Sequence, residues 1–387
     1  MPKCRIIVTG ALANLPRNGG NAIVTLQFVL GLHRLGFDVL FLEHVPAEGC
    51  LDTHGAPCAF EDSVQRSYFV DMITAFSLAG QSSLLYDGGR KSWGVPMREV
   101  SSFARDADAL IGLGGFPPFR EILASVKRRV YVDMDPVYTQ LWTAVYDVDL
   151  GLAHADVLFT FGLNIGASAC PIPTGGRRWH KLTPVVDLEF WQNAGDTIGT
   201  EKLTTVASWY GFAPLEYQGE WYGQKAEEFR RFIDLPARAE RPVEVALSIH
   251  PQDPDRRLLE EHGWHIVDPQ THTSDPWSYR SYIANSRAEV GIAKNAYVKA
   301  NSGWFSDRSA AYLASGKPVL VQDTGLASHF PLGNGLIPFR TLDELVEGLR
   351  ELDARYPEHC RAARALAEKY FSAEKVLGRL LAEANIK

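Results

Sequence analysis

The chain has 387 residues, of which 46% are hydrophobic and 22% charged, and its formal net charge is −7. This length suits two domains with separate cores. The acidic balance argues against sequence-independent nucleic-acid binding, and no apolar run reaches the roughly 18 residues that a membrane span needs. The five cysteines are scattered without metal-ligand spacing, so neither disulfides nor a metal site is predicted. The N-terminus runs into a strand without a signal-peptide pattern, and we expect a cytoplasmic protein.

The chain opens with a strand, helix, strand pattern over residues 5–10, 22–35 and 39–42. No GxGxxG motif accompanies it, which weakens a dinucleotide-binding interpretation. A glycine-bearing loop precedes the helix. We predict that its residues line a cleft on the acceptor side, and the alternative is a plain tight turn; they are Gly19, Gly20 and Asn21.

Two further strands are predicted at 109–115 and 129–132. Asp133 and Asp135 follow the second strand and lie on the same side of an extended segment. We predict that Asp135 acts as a catalytic base or binds acceptor hydroxyls, with Asp133 beside it on the acceptor side. The alternative is that an aspartate before a proline only forms a turn.

A fifth strand is predicted at 157–161, and a polar stretch rich in Pro, Gly and Trp follows it. In that stretch, Trp179 and His180 are candidates for the cleft wall. Residues 193–202 have few large apolar side chains, which is typical of a linker. The predicted domain boundary therefore lies there.

The second half repeats the alternation of strands and helices, which indicates a second doubly wound sheet. Lys225 begins a predicted helix, and His250 follows the strand at 243–249. Both positions lie on the ligand side of a parallel sheet. We predict donor binding for both, against the alternative that they are surface or capping residues.

The stretch 289–325 reads as strand, polar loop, helix and strand. Ligands bind beyond the carboxyl ends of parallel strands, where helix N-termini present free N–H groups. The small, polar and cationic residues at that place suit a diphosphate. We predict donor binding by Lys294, Ser302, Gly303, Ser306, Arg308 and Ser309.

Asp307 lies among these candidate phosphate-binding residues, where a second negative charge is repelled. We therefore predict that it binds hydroxyl groups or pairs with Arg308, and we count it as a catalytic candidate. A site that combines a carboxylate, which binds hydroxyl groups, with cations, which bind phosphate, suits a sugar nucleotide. The alternative is that Asp307 only complements the helix dipole.

The segment SGWFSDRSAAYLASGKPVLVQDTG resembles the donor-binding region of GT-B glycosyltransferases. The similarity covers the alanine-rich helix, Gly316, Pro318 and the following strand. The nearest family is a bacterial group of family-1-like glycosyltransferases. Common retaining families carry two glutamates eight residues apart before the Gly-x-Pro. This chain has Gly303 and Ala311 there, so the resemblance supports the fold and the substrate class better than a mechanism.

The resemblance implies two Rossmann-like α/β domains that face each other across a cleft. The predicted limits are 1–195 for the acceptor domain, 203–370 for the nucleotide-sugar domain, and 371–387 for a helix that packs back on the first domain. The implied activity is metal-independent sugar transfer from a nucleoside diphosphate sugar to a small molecule or glycan, with no other cofactor. The alternatives are a sugar-nucleotide epimerase or hydrolase, and a catalytically silent sugar-nucleotide or glycan-binding protein.

Overall fold

The computed structural model describes residues 4–194 and 201–386. Its N-terminal part is built on an eight-stranded sheet in the order β4-β3-β2-β1-β5-β6-β7-β8, parallel except for β4. The strands are β1 Arg5–Thr9, β2 Asp38–Val45, β3 Ser82–Tyr86, β4 Lys91–Gly94, β5 Ala109–Leu113, β6 Arg129–Asp133, β7 Val157–Thr160 and β8 Trp179–Lys181. The helices are α1 Gly19–Arg34, α2 Val64–Ala75, α3 Met97–Asp106, α4 Arg120–Ser125 and α5 Tyr138–Ala144.

The C-terminal part contains a six-stranded parallel sheet in the order β13-β12-β9-β14-β15-β16 and a separate antiparallel hairpin, β10-β11. The strands are β9 Leu203–Ser208, β10 Leu215–Tyr217, β11 Glu220–Tyr222, β12 Val243–Ser248, β13 His265–Val267, β14 Ala288–Gly291, β15 Val319–Gln322 and β16 Leu336–Phe339. The helices are α6 Lys225–Arg231, α7 Leu235–Arg238, α8 Pro254–Glu261, α9 Pro269–His272, α10 Pro276–Ala284, α11 Asn295–Lys299, α12 Asp307–Ala314, α13 Leu342–Ala354, α14 Tyr356–Tyr370 and α15 Ala373–Glu383.

Both sheets are doubly wound, as the sequence predicts. The central strands are buried on both faces: Ile6, Ile7 and Val8 of β1 are fully buried, which is why these strands read as continuous apolar runs. In each sheet the strand order reverses beside the first strand, between β1 and β5 and between β9 and β14. Crevices form at such reversals, at the carboxyl ends of the strands.

The last helix crosses back to the first. Gly31 of α1 leaves room for this contact, since a Cβ there would lie 2.6 Å from Leu377 and 2.8 Å from Ala373 of α15. The predicted limits of the domains stay a prediction, and part of the predicted linker, residues 195–200, lies outside the described residues.

Local differences from the predicted elements have identifiable causes. Helix α1 begins at Gly19, three residues before the predicted start, because the Asn18 side chain accepts a hydrogen bond from the Asn21 N–H and caps it. Trp179 and His180 belong to strand β8 instead of the cleft wall: Trp179 is buried, and His180 pairs with Glu383. No helix within the described ranges has both the length and the apolar character needed to cross a bilayer.

Candidate active site between the two sheets

A cavity of about 530 Å³ lies where the carboxyl edges of the two sheets face each other. One wall comes from the loop that precedes α1 and from the residues after β6. The other comes from the ends of β9 and β12 and from the residues that follow β14. The polar and charged side chains on these walls include Asn14, Arg17, Asn18, Asn21, Asp135, Ser208, Lys225, Ser248, Gln270, Thr273, Lys294, Tyr297, Ser306, Asp307 and Arg308. We call this space the donor cavity.

Lys225 is the most unusual charge in the donor cavity. It is the first residue of α6, only 8% exposed, and no acceptor within the described residues forms a hydrogen bond or ion pair with it. Burial lowers its pKa well below the ordinary value, and the positive charges of Arg308 and Lys294 lower it further. Glu289 and Asp307 oppose this shift only in part. A buried lysine without a counterion is stabilised by an anion.

Arg308, also 8% exposed, is positioned by contacts that leave it facing the donor cavity. Its Nε donates to the buried carboxylate of Glu289 on β14, and Nη1 donates to the Val206 carbonyl on β9 at 2.8 Å. These two bonds fix the guanidinium at the reversal between β9 and β14. It supplies positive charge beside Lys225 without being free to move.

Helix α12 points its N-terminus at the same place. Ser306 caps the helix, its hydroxyl accepting from the Arg308 N–H at 3.2 Å, and Ser306 lines the donor cavity together with Asp307. Burial raises the pKa of Asp307, and the charge of Arg308 opposes that effect. Asp307 therefore lines the donor cavity beside the cation of Arg308.

Asp135 reaches the donor cavity from the N-terminal sheet. Its Oδ1 accepts from Lys294 Nζ at 2.8 Å and from the Tyr297 hydroxyl at 2.7 Å, both on the segment after β14. The Lys294 ammonium also lies 4.3 Å from the ring centre of Phe212. The contact joins the two sheets through a carboxylate whose side chain is 40% exposed.

Asp133 has a different position from Asp135. It is fully buried and accepts hydrogen bonds from Thr139, Gln140 and Thr160 at 2.7–2.8 Å and from the Asp135 N–H at 3.0 Å. Burial raises its pKa to about 6, against the effect of these donors. Asp133 does not reach the donor cavity; it holds the turn that presents Asp135.

That turn is strained at Val137, where φ is 76° and ψ is −56°. A β-branched residue seldom adopts positive φ, and such strain persists only where surrounding contacts impose it. Here the Val137 N–H donates to the Gln140 side chain at 2.7 Å, and Gln140 in turn donates to Asp133. The strain lies two residues from Asp135, which is typical of a functional turn.

The segment predicted as a glycine-bearing loop on the acceptor side ends in the first turn of α1, Gly19 to Asn21, which packs against the C-terminal part. Gly19 N–H donates to the Thr273 carbonyl at 2.8 Å, and a Cβ on Gly19 would lie 2.1 Å from the Asp275 carbonyl oxygen. Gly20 and Asn21 line the donor cavity. Only glycine permits this approach of α1 to the segment before α10.

Four predicted donor-binding residues lie outside the donor cavity. His250 is exposed, and its Nδ1 accepts from the Gln252 N–H. Ser302 is buried and bonds within its own turn to Tyr297 and Trp304. Gly303 adopts φ +70° and packs against Asn164, and Ser309 is buried in α12. The structure assigns turn and packing contacts to these four, whereas Lys225, Lys294, Ser306, Asp307, Arg308 and Asp135 share one cavity.

Sequence reasoning missed four further polar residues of the cavity: Tyr297, Ser248, Gln270 and Thr273. Tyr297 follows β14 by six residues and Ser248 ends β12, so their places at the ends of parallel strands were the available signal. Gln270 and Thr273 depend on how far the segment after β13 turns back toward the sheet. In the parts of the chain that the structure describes, no group of three or more His, Cys, Asp or Glu side chains could hold a metal ion.

Two doubly wound sheets facing each other across a cavity at their carboxyl edges define the GT-B fold. Residues 234–382 match the family described as glycosyl transferase-like. The chain therefore has the GT-B fold that the sequence resemblance predicts, and its C-terminal part is similar to glycosyl transferase-like proteins.

Solved structures of the same fold cover the whole chain at low identity. An alpha-glucosyltransferase in complex with UDP is 12% identical, with a TM-score of 0.61 over 98% of this chain and 99% of the other. An alpha-glucosyltransferase in complex with UDP-glucose and DNA containing an abasic site is 12% identical, with a TM-score of 0.60 over 99% of this chain and 100% of the other. HepE from Anabaena, in complex with UDP and glucose, is 11% identical, with a TM-score of 0.57 over 99% of both chains. No curated protein sequence matches significantly.

Proposed function

We propose that this protein transfers a sugar from a uridine diphosphate sugar to a hydroxyl of a small-molecule or glycan acceptor, without a metal ion or other cofactor. The observation that carries the proposal is the buried Lys225 without a counterion, beside Arg308 and the N-terminus of α12. The UDP and UDP-glucose in the structures of similar fold support the choice of nucleotide.

The leaving diphosphate would lie against Lys225, Arg308 and the N–H groups at the start of α12. Two cations and a helix N-terminus stabilise a departing diphosphate, which is the task that a metal ion performs in other sites. The nucleoside would extend toward Ser248, Gln270 and Thr273 on the same wall. Asp307, one residue after the cap, would bind hydroxyls of the donor sugar or ribose.

The acceptor would enter from the N-terminal side. A crevice of about 200 Å³ lies at the reversal between β1 and β5, with Phe116 and His44 among its lining residues. Asn14 lines both this crevice and the donor cavity, so the two spaces adjoin. An acceptor there would present a hydroxyl toward Asp135.

In the reaction, the bond between the anomeric carbon and the diphosphate oxygen breaks, and the acceptor oxygen forms the new bond to that carbon. The acceptor proton must leave, and Asp135 is the proposed base. Its Oδ1 is occupied by Lys294 and Tyr297, while Oδ2 accepts no hydrogen bond from the described residues. Oδ2 is therefore the oxygen that would take the proton.

The direct test is calorimetric titration with UDP and with uridine, followed by release of UDP from a panel of UDP-sugars with and without candidate acceptors. We expect UDP to bind at least tenfold more tightly than uridine, because charge-assisted bonds to phosphate contribute about 1.5 to 3 kcal/mol each. Equal affinity for UDP and uridine would overturn the proposal. UDP release that needs no acceptor other than water would select the hydrolase alternative.

A further inference from the structure

A second cavity, of about 270 Å³, lies between strand β8 and the last two helices. It shares no lining residue with the donor cavity. The loop after β7 separates the two spaces: Leu163 faces the second cavity, while Gly162 pairs with Trp304, which faces the donor cavity. We call this second space the basic cavity.

The basic cavity is lined by five basic side chains and by no acidic one: Lys181, His329, Lys369, Lys375 and Arg379. This concentration runs against the chain as a whole, whose formal net charge is −7. Lys181 and His329 are half-buried, whereas the other three are exposed. Burial and the charge of Lys181 lower the pKa of His329, so Lys181 supplies the positive charge at the inner depth and the three exposed side chains supply it at the outer depth.

Two carboxylates on the neighbouring helices pair with other cations. Glu368 accepts from Arg364 at 2.8 Å on α14, and Glu383 of α15 contacts His180 at 2.6 Å. Within the described residues, none of the four lysine and arginine side chains of the basic cavity has a carboxylate within ion-pair distance.

The contacts that these cations do make are with neutral groups. Lys181 Nζ donates to the Ile165 carbonyl, and Lys375 Nζ donates to the Glu368 carbonyl at 2.8 Å. Lys369 lies 5.0 Å from the ring centre of Tyr370. Burial lowers the pKa of Lys181, which an anion in the cavity would reverse. The arrangement orients the cations and leaves their charge uncompensated.

We propose that the basic cavity binds a phosphate group, either free or as the head of a small phosphorylated metabolite. Several converging cations match a tetrahedral dianion, and a lysine can bind phosphate as a point charge. Phe330 and Tyr370 provide apolar wall for the remainder of such a molecule. This site is independent of the donor cavity and of the proposed transfer reaction.

The test is calorimetric titration with inorganic phosphate, glucose 6-phosphate and, as the neutral control, glucose. It is done in a Lys225→Met background, so that anion binding in the donor cavity is weakened. We expect glucose 6-phosphate to bind with a dissociation constant on the order of 1 mM or lower, and glucose not to bind. Phosphate as tight as glucose 6-phosphate would assign free phosphate as the ligand; tighter glucose 6-phosphate would assign a metabolite.

Three substitutions locate the binding. We expect Lys181→Met to weaken glucose 6-phosphate about tenfold and Arg379→Gln about threefold, since a buried charge contributes more than an exposed one. Arg361→Gln, on an exposed part of α14, is the matched control and should change nothing. Arg379 forms no hydrogen bond or ion pair within the described residues. Arg379→Gln should therefore leave the fold intact, and it tests the site even if Lys181→Met destabilises the protein. Unchanged affinity in Arg379→Gln and in a folded Lys181→Met, or no heat with either anion, would overturn the proposal.

Discussion

Buried charges lie at the carboxyl edges of both sheets, but their surroundings differ. On the N-terminal edge, Glu43 accepts hydrogen bonds from the N–H groups of Leu12, Ala13 and Asn14 and from the Asn14 side chain, and Asp133 accepts four. On the C-terminal edge, Lys225 has no bonded partner among the described residues. A buried polar group whose hydrogen bonds are complete is kept at little cost, whereas one without a partner costs stability. We therefore interpret the first edge as a framework and propose that a ligand completes the second.

The largest effect should follow from removing Asp133. Asp133→Ala leaves two threonine hydroxyls, an amide and a backbone N–H without their acceptor, and should lower the free energy of unfolding by about 3 kcal/mol or more. Asp135→Ala, two residues on and 40% exposed, should lower it by about 1 kcal/mol at most. Urea unfolding of both variants measures the difference. Equal losses would mean that Asp133 is not the framework residue.

Lys225 should show the opposite pattern. Lys225→Met should weaken UDP binding about 100-fold, because a charge-assisted hydrogen bond to phosphate is lost, and should leave the free energy of unfolding equal or raise it. Lys299→Met is the matched control, since the Lys299 ammonium pairs with Glu220 and donates to the Trp221 carbonyl. Calorimetric titration with UDP measures the change in affinity of both variants, and urea unfolding measures the change in their stability. A large loss of stability in Lys225→Met would place Lys225 in the framework.

Substitution of Gly303 tests whether packing requires glycine at this position, where common retaining families carry a glutamate. Gly303 has φ +70°, and a Cβ would lie 2.8 Å from the Asn164 nitrogen. Gly88 has nearly the same φ, +68°, with nothing within 4 Å. Gly88→Ala should cost about 1 kcal/mol of stability from backbone strain alone, and Gly303→Ala about 2 kcal/mol because the contact adds to it. Similar losses in the two variants would show that the Asn164 contact is unimportant.

Asp307→Asn should have the smallest effect, which is about tenfold lower turnover of the UDP-sugar. Affinity for UDP should stay the same or improve, because one negative charge near the diphosphate is removed. If Asp307 only complements the helix dipole, the variant will instead lose about 0.3 to 1 kcal/mol of stability with normal kinetics. Donor kinetics and melting temperature measured on the same variant separate the two roles.

Much of the fold was predictable because parallel strands buried on both faces leave continuous apolar runs, and Ile6 to Val8 and Val319 to Val321 are such runs. The candidate site was predicted at the carboxyl ends of parallel strands, which is how Asp135, Lys294 and Arg308 became candidates. Strand β8 and the β10-β11 hairpin were not predicted, because short strands in polar segments lack a periodic signal.

The roles of neighbouring residues were harder to separate. Asp133 and Asp135 occupy equivalent positions in the sequence pattern, yet one is buried under four donors and the other faces the donor cavity. That difference depends on Thr139, Gln140 and Thr160, which come from α5 and β7. Likewise, Ser302 and Ser306 look alike in the sequence, yet Ser306 caps α12 and lines the donor cavity, whereas Ser302 is buried and bonds within its own turn.

The central claim, that Lys225 is completed by the diphosphate, is tested most directly by the protons exchanged when UDP binds. Because the pKa of Lys225 lies well below its ordinary value in the free protein, Lys225 is neutral in a larger share of the molecules at alkaline pH than an exposed lysine is. A bound diphosphate favours the charged form, so binding should take up protons. Calorimetry at pH 9 in buffers of different ionisation enthalpy measures this uptake. We predict net proton uptake in the wild type and none in Lys225→Met; no uptake in the wild type, or the same uptake in both, would contradict the account.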